Sequence, residues 1–317
     1  MAKQLETTRG AVGALRTGKR RGAAARRTAV EGYALVLPAL LLLAVFILYP
    51  ILYGLYISFH KWDGFSAMTF VGWRNYVKAF TSDSVFHQAA RNTALYAVAI
   101  TIGKNVFGLL LALLVSRKIR GILFFRTALF VPVTLSYVVV GLLWAWIYNP
   151  SFGLVASGLE ALGLENWVYP WLGSASTALW AVVAVEVWKW AGFHMVLFLG
   201  GLQAIPADLY EAAIVDGASP WARFRSITLP LLKPITFISV FLALNGGFVR
   251  NFDLIYIMTG GGPNHSTEVV LTHMVSEAFQ RGNLGYSSAM GYLLFLTVAV
   301  LILVYARTFN RGGEGGR

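Results

Sequence analysis

The 317 residues are 57% hydrophobic and only 13% charged, where a soluble domain carries about a quarter, so the chain lacks the polar surface that water requires. A net charge of +12 and a pI of about 10.0 are shared with many nucleic-acid binders. Here the basic residues sit in short segments between long apolar runs, so membrane lipid and no nucleic acid is the expected surrounding. The absence of cysteine excludes disulfides, thiolate metal sites and cysteine nucleophiles.

Residues 1–32 read as a cytoplasmic disordered tail, rich in Ala, Gly and Arg and too poor in large apolar residues to fold. Within it Gly13-Ala-Leu-Arg-Thr-Gly18-Lys19 has the spacing of a phosphate-binding loop. Arg20 stands where Ser or Thr must ligate magnesium, and no strand precedes the segment, so ATP is not expected to bind here.

Six stretches have the roughly 20 apolar residues that cross about 30 Å of hydrocarbon. They are Tyr33–Phe59, Thr93–Val115, Thr127–Tyr148, Thr177–Leu202, Ile235–Met258 and Ala289–Tyr305. The first has no small-residue cleavage site beside it and reads as a retained anchor. An all-α, six-span domain over 33–305 results, followed by a short tail, 306–317. Lys and Arg fix the orientation: eighteen lie in the two tails and the loops after the second and fourth stretches, against five in the other loops. Excess positive charge marks the cytoplasmic side, so both termini are expected there.

Charges inside spans raise the insertion energy by about 2.5–3.5 kcal/mol each and so call for a reason. Lys104 is one, read as an interior helix–helix contact ahead of a solute contact. Glu186, Lys189, Trp190 and Phe193 lie at i, i+3, i+4 and i+7, which places them on one helical face. Two readings stay open for that stripe: a sugar-binding surface, or a Glu186–Lys189 pair that fixes helix packing. In the fifth stretch Arg250 and Asp253 are spaced to neutralise each other. Gly246 and Gly247 allow close helix approach or a local break beside a cavity, with Asn251 next to them. The five His are scattered without metal-ligand spacing, and no nucleophile elbow or carboxylate cluster appears, so neither a metal, a cofactor nor an enzyme activity is expected.

The segment 203–234 is the longest loop on the proposed cytoplasmic side, and it looks folded. Pro206 opens a short helix through Val215, Gly217 supplies the positive φ that ends it, and Ser219 with Pro220 starts a second helix. Leu229-Pro230 and Pro234 are expected to close that second helix. Its spacing is Glu211-Ala212-Ala213, three residues with Asp216 last, Gly217, nine residues, Ile227, one residue, then Leu229-Pro230. This closely resembles the EAA loop of permeases in binding-protein-dependent ABC importers. Phe70-Val71-Gly72, Asn75-Tyr76, Val187-Trp188-Lys189 and Met258-Thr-Gly-Gly-Gly-Pro263 make it most similar to the permeases for maltose, lactose and glycerol-3-phosphate. The resemblance implies a type I importer permease in the bacterial inner membrane, with both termini cytoplasmic.

It further implies that the loop couples the spans to an ATPase, and that the helices flanking it hold the solute. Glu186, Lys189, Trp190, Phe193, Gly247, Arg250 and Asn251 are the expected pathway residues. The implied partners are a second permease, two ATP-binding subunits that use the ATP, and an extracytoplasmic solute-binding protein, which the flexible turn Gly260–Pro263 would touch. A permease of the same class for a non-sugar solute is the alternative. A stand-alone secondary transporter is less consistent, since it would show internal repeats.

Overall fold

The computed structural model describes residues 33, 35–116 and 120–313, with side chains to 307. The basic tail, its Gly13–Lys19 segment, Arg117, Lys118 and the Arg311 and Arg317 side chains lie outside the described residues. The chain divides into two compact units, Met1–Tyr56 and Ile57–Arg317.

The first unit holds most of α1, Leu35–Ser58, an apolar helix with one widened π turn at Ala44–Leu48. That turn ends two residues before Pro50. Widening relieves the clash between the proline ring and the preceding turn.

In the second unit a two-stranded antiparallel ribbon, His60–Lys61 with Thr69–Phe70, precedes α2, Arg74–Thr81. Asn75 Nδ2 donates to the Ser58 and His60 carbonyls at 2.8 and 3.0 Å, which fixes the chain between ribbon and helix. Then come α3, Ser84–Val115; α4, Ile122–Thr134; α5, Tyr137–Ile147; α6, Leu154–Ala161; and α7, Ala178–Gln203. After these follow α8, Ala207–Val215; α9, Pro220–Leu231; α10, Lys233–Val249; α11, Phe252–Thr259; α12, Val270–Val275; and α13, Leu284–Gly313.

Among the described residues four helices are long and apolar enough to span: α1, α3, α7 and α13. Two bent pairs, each counted as one span, bring the number to six. The most extensive contact runs between α3 and α7; α10 lies on α3, α4 on α7, and α11 on α5. Tyr96, Ile100, Val182, Val185, Leu254 and Ile255 form the largest buried cluster. Outside it Phe295, Leu296, Val300 and Val304 of α13 stand exposed, an apolar face that suits lipid and not water.

Two of the expected spans are broken. The third, expected straight over Thr127–Tyr148, turns through 101° between α4 and α5. Pro132 withholds a backbone donor from α4, Leu135 is extended at φ −73°, ψ 145°, and Ser136 starts α5 by accepting from Val139 N. The fifth, expected over Ile235–Met258, stops at Val249 and resumes at Phe252. There Asn251 Nδ2 donates to the Gly247 carbonyl at 2.7 Å, a side chain taking the place of the next backbone N–H.

The second helix of the 203–234 segment also differs from expectation. Pro230 does not close it. The helix runs on to Leu231 through a π turn at Phe224–Thr228, again two residues ahead of the proline, and then bends by 65° into α10.

Candidate functional site

Both breaks open onto one cavity of about 150 Å³. Lys104 of α3, Tyr137 at the start of α5, Glu186, Trp190 and Phe193 of α7, and Arg250 beyond α10 line it, with His194, Leu242, Asn245 and Gly246. Irregular backbone at membrane depth is tolerated where it faces protein or a cavity, and this cavity meets that condition twice. Of the expected pathway residues, Glu186, Trp190, Phe193 and Arg250 line it, whereas Lys189, Gly247 and Asn251 do not.

Glu186 is 2% exposed and pairs with Lys104, Oε1 to Nζ 2.7 Å. Tyr137 OH donates to the same oxygen at 3.3 Å and accepts from Trp190 Nε1 at 2.8 Å. The Trp190 ring lies 5.6 Å from each of two ammoniums, Lys104 and Lys189, a favourable place for cations, and meets Phe193 edge-on at 5.7 Å. Glu186 Oε2 is buried with no hydrogen-bond partner among the described residues, so one acceptor in the network is unspent.

The Glu186–Lys189 pair, one of the two readings of that stripe, does not form. Lys189 Nζ instead donates to the carbonyls of Pro132, Val133 and Leu135 at 3.0, 3.1 and 2.6 Å. A helix end leaves its last carbonyls without intrahelical donors, and in hydrocarbon an ammonium answers several at once. Lys189 therefore holds the α4–α5 break, and Lys104 makes the helix–helix contact expected of it. The same α4–α7 contact is close: a Cβ on Gly192 would meet the Leu129 carbonyl oxygen at 2.1 Å.

Gly247 serves the approach of α10 to α3, since a Cβ there would lie 2.6 Å from Ala97 Cα. Asn251 is buried beneath the break and does not face the cavity. Arg250 and Asp253 form no ion pair among the described residues. Arg250 C-caps α10, while Asp253 sits in the first turn of α11, on the other side of the break.

The 203–234 segment is an exposed helical knob. None of the nine residues of α8 is buried, and Leu209, Ile214, Val215 and Trp221 are open apolar groups. Gly217 has φ +75°; its N–H bonds Ile214 O at 3.0 Å and Ala218 N–H bonds Ala213 O at 2.9 Å. These two bonds close α8 as a Schellman turn, which explains a glycine at 217. Ser219 Oγ accepts from Ala222 N, and Tyr210 OH bonds Thr228 Oγ1 at 2.8 Å, tying α8 to α9. Glu211, Ala212, Asp216, Leu229 and Pro230 are exposed, while Ala213 and Ile227 are half-buried.

The turn at Gly260–Pro263 and the segment after it carry side-chain hydrogen bonds. Thr267 Oγ1 donates to Gly262 O at 2.8 Å, and Asn92 Nδ2 of α3 reaches the His265, Ser266 and Glu268 carbonyls at 3.2, 3.1 and 2.9 Å.

A larger groove, about 820 Å³, runs between α3, α4 and α7. Leu95, Ile102, Phe107, Leu129, Trp180 and Trp188 represent its lining, which has no charged or hydroxyl-bearing side chain. A hydrated solute would lose water there and gain no hydrogen bonds. Sequence reasoning missed Tyr137, His194 and Asn245 as cavity residues. The run Pro132 to Ser136, a helix breaker followed by a cap, was the available signal for Tyr137.

Residues 104–310 match the family described as binding-protein-dependent transport system inner membrane component. The chain is 38% identical to the probable ABC transporter permease protein YurN of Bacillus subtilis, over 89% of this chain and 97% of that one. It is 35% identical to the trehalose/maltose transport system permease protein MalF of Thermococcus litoralis, over 89% and 94%. A solved bacterial ABC transporter that imports the acidic polysaccharide alginate shares the fold at a TM-score of 0.77 and 23% identity, covering 88% of this chain and 94% of its own. The chain belongs to the inner-membrane permease family of binding-protein-dependent transport systems.

Proposed function

We propose that this chain is one of two membrane-spanning subunits of an ATP-driven importer and carries a sugar or sugar-like solute across a bacterial inner membrane. The cavity at the two broken spans carries the reading. It puts an unspent carboxylate acceptor and two aromatic rings at membrane depth, a combination that suits hydroxyls on one side of a sugar and C–H groups on the other. The relatives named for trehalose/maltose and for multiple sugars support the solute class.

A second permease, two ATP-binding subunits and an extracytoplasmic solute-binding protein complete the assembly. Both termini and the 203–234 knob face the cytoplasm. Glu211, Ala212, Ala213, Asp216, Gly217, Ile227, Leu229 and Pro230 form the surface that meets an ATPase subunit. Closure of the ATPases on ATP moves the knob, and the knob rocks the spans around the cavity, the alternating-access logic of transporters. The chain itself holds no cofactor; ATP is used by its partners.

The test is uptake of labelled sugars by the whole complex in proteoliposomes. Trp190→Ala removes one ring contact, so uptake is expected to weaken several-fold at unchanged membrane abundance, in line with about 1 kcal/mol for an aromatic contact. Unaltered uptake of every transported sugar would remove Trp190 from the pathway.

A further inference from the structure

We infer that the solute carries a carboxylate, so that it is a sugar acid, and that Arg250 is the residue that selects it. The inference rests on the carbohydrate reading above and narrows it.

Every other ionisable group lining the cavity has a partner within the protein. Lys104 and Glu186 neutralise each other at 2.7 Å. Lys189 is taken by three carbonyls at the end of α4. His194 Nδ1 lies 2.6 Å from Ser239 Oγ. Asp253 is exposed in the first turn of α11, where free backbone N–H groups favour a carboxylate, and does not line the cavity. Arg250 lines the same cavity and, among the described residues, makes no side-chain hydrogen bond and no ion pair. Its place at the end of α10 favours a cation, yet all five guanidinium donors remain unspent.

Arg250 is exposed at the break and lines the cavity, so its donors are open to an acceptor that the solute brings. Its planar fork matches a carboxylate bidentately, which a point charge such as lysine cannot do. The second unspent group, Glu186 Oε2, is a buried acceptor in the wall of that cavity and requires a donor such as a sugar hydroxyl. A neutral sugar answers Glu186 and leaves Arg250 uncompensated. A sugar acid answers both.

The experiment uses the complete importer in proteoliposomes, with both permeases, the ATPase subunits and the binding protein. Two labelled disaccharides are compared that differ only in a terminal glucuronate or glucose. Calorimetry on the binding protein with each probe separates its selection from that of the permease. The expected result is preferred uptake of the glucuronate probe beyond the binding protein's own preference. Arg250→Gln should lower the glucuronate-to-glucose uptake ratio about tenfold or more, the scale of a lost charged hydrogen bond, and Arg250→Lys should restore part of it.

A wild-type importer that favours the glucose probe, or a ratio that Arg250→Gln leaves unchanged, would overturn the inference. So would loss of membrane abundance in both variants, which would make Arg250 a structural group. Uptake of neither probe, with uptake of a non-carbohydrate instead, would overturn the carbohydrate reading as well.

Discussion

The knob at 207–231 and the cavity at the two broken spans solve opposite problems. In the knob no residue of α8 is buried, its geometry is set by bonds between residues within about twenty positions, and its apolar groups point outward. The cavity draws Lys104, Tyr137, Glu186 and Arg250 from four helices and pairs Lys104 with Glu186 across two of them. A surface proposed to meet a partner can be written locally. A polar site inside hydrocarbon cannot, because each charge needs a counterpart on a facing helix.

The largest effect should come from breaking the buried pair. Glu186→Ala strands the Lys104 ammonium at 3% exposure, and an uncompensated buried charge costs about 3–5 kcal/mol. The doubly substituted Lys104→Met/Glu186→Leu protein should regain most of that stability while losing uptake. Thermal melts of the purified complex check the first statement and proteoliposome uptake the second. A single variant that melts like the wild type would mean that water reaches the pair freely.

Two glycines sharpen the contrast at an intermediate scale. Gly192→Ala places a methyl against the backbone of α4, which cannot swing aside as a side chain could. We expect a loss of about 1–3 kcal/mol despite the roughly 1 kcal/mol that helix propensity returns. A Cβ at Gly217 meets nothing within 4 Å, so the expected penalty of Gly217→Val comes chiefly from the strain of φ +75°, about 1–2 kcal/mol, confined to the knob. Gly192→Ala should therefore lower the melting temperature of the whole permease. Gly217→Val should leave abundance intact and depress solute-stimulated ATP hydrolysis. Normal stimulation in a complex carrying Gly217→Val and Glu211→Lys would remove the knob from coupling.

The smallest effect concerns Asp83, at the start of α3 and outside the hydrocarbon. Burial alone would raise its carboxyl. Hydrogen bonds from His273 at 3.0 Å, Tyr286 OH at 2.7 Å and Phe86 N at 2.9 Å outweigh burial and hold it at about 2, below the usual 3.8. The folded value lies below the unfolded one, so this stabilisation is complete above pH 3.8 and disappears as pH falls through 2. Discounted for solvent screening it is about 1 kcal/mol. The melting difference between wild type and Asp83→Asn should be flat from pH 7 to 5 and shrink below pH 4. A difference that grew on acidification would contradict it.

The spans and the knob were legible in the sequence because their causes are local. Span length follows from runs of apolar residues, and α8, its glycine stop and the Ser219 cap follow from residues that touch their own neighbours. The choice among partners was not. Spacing offered Glu186 to Lys189 at i+3, yet the structure gave it Lys104, 82 positions away, because the carbonyls at the end of α4 compete for the nearer lysine. The same holds for the breaks. Pro132 and the Asn245–Asn251 run mark places where a helix is weak, but an apolar stretch of the right length looks alike whether it crosses straight or bends through 101°. Apolar length is a property of the chain, whereas the acceptors orphaned at a bend and the cations that meet them exist only once four helices are side by side.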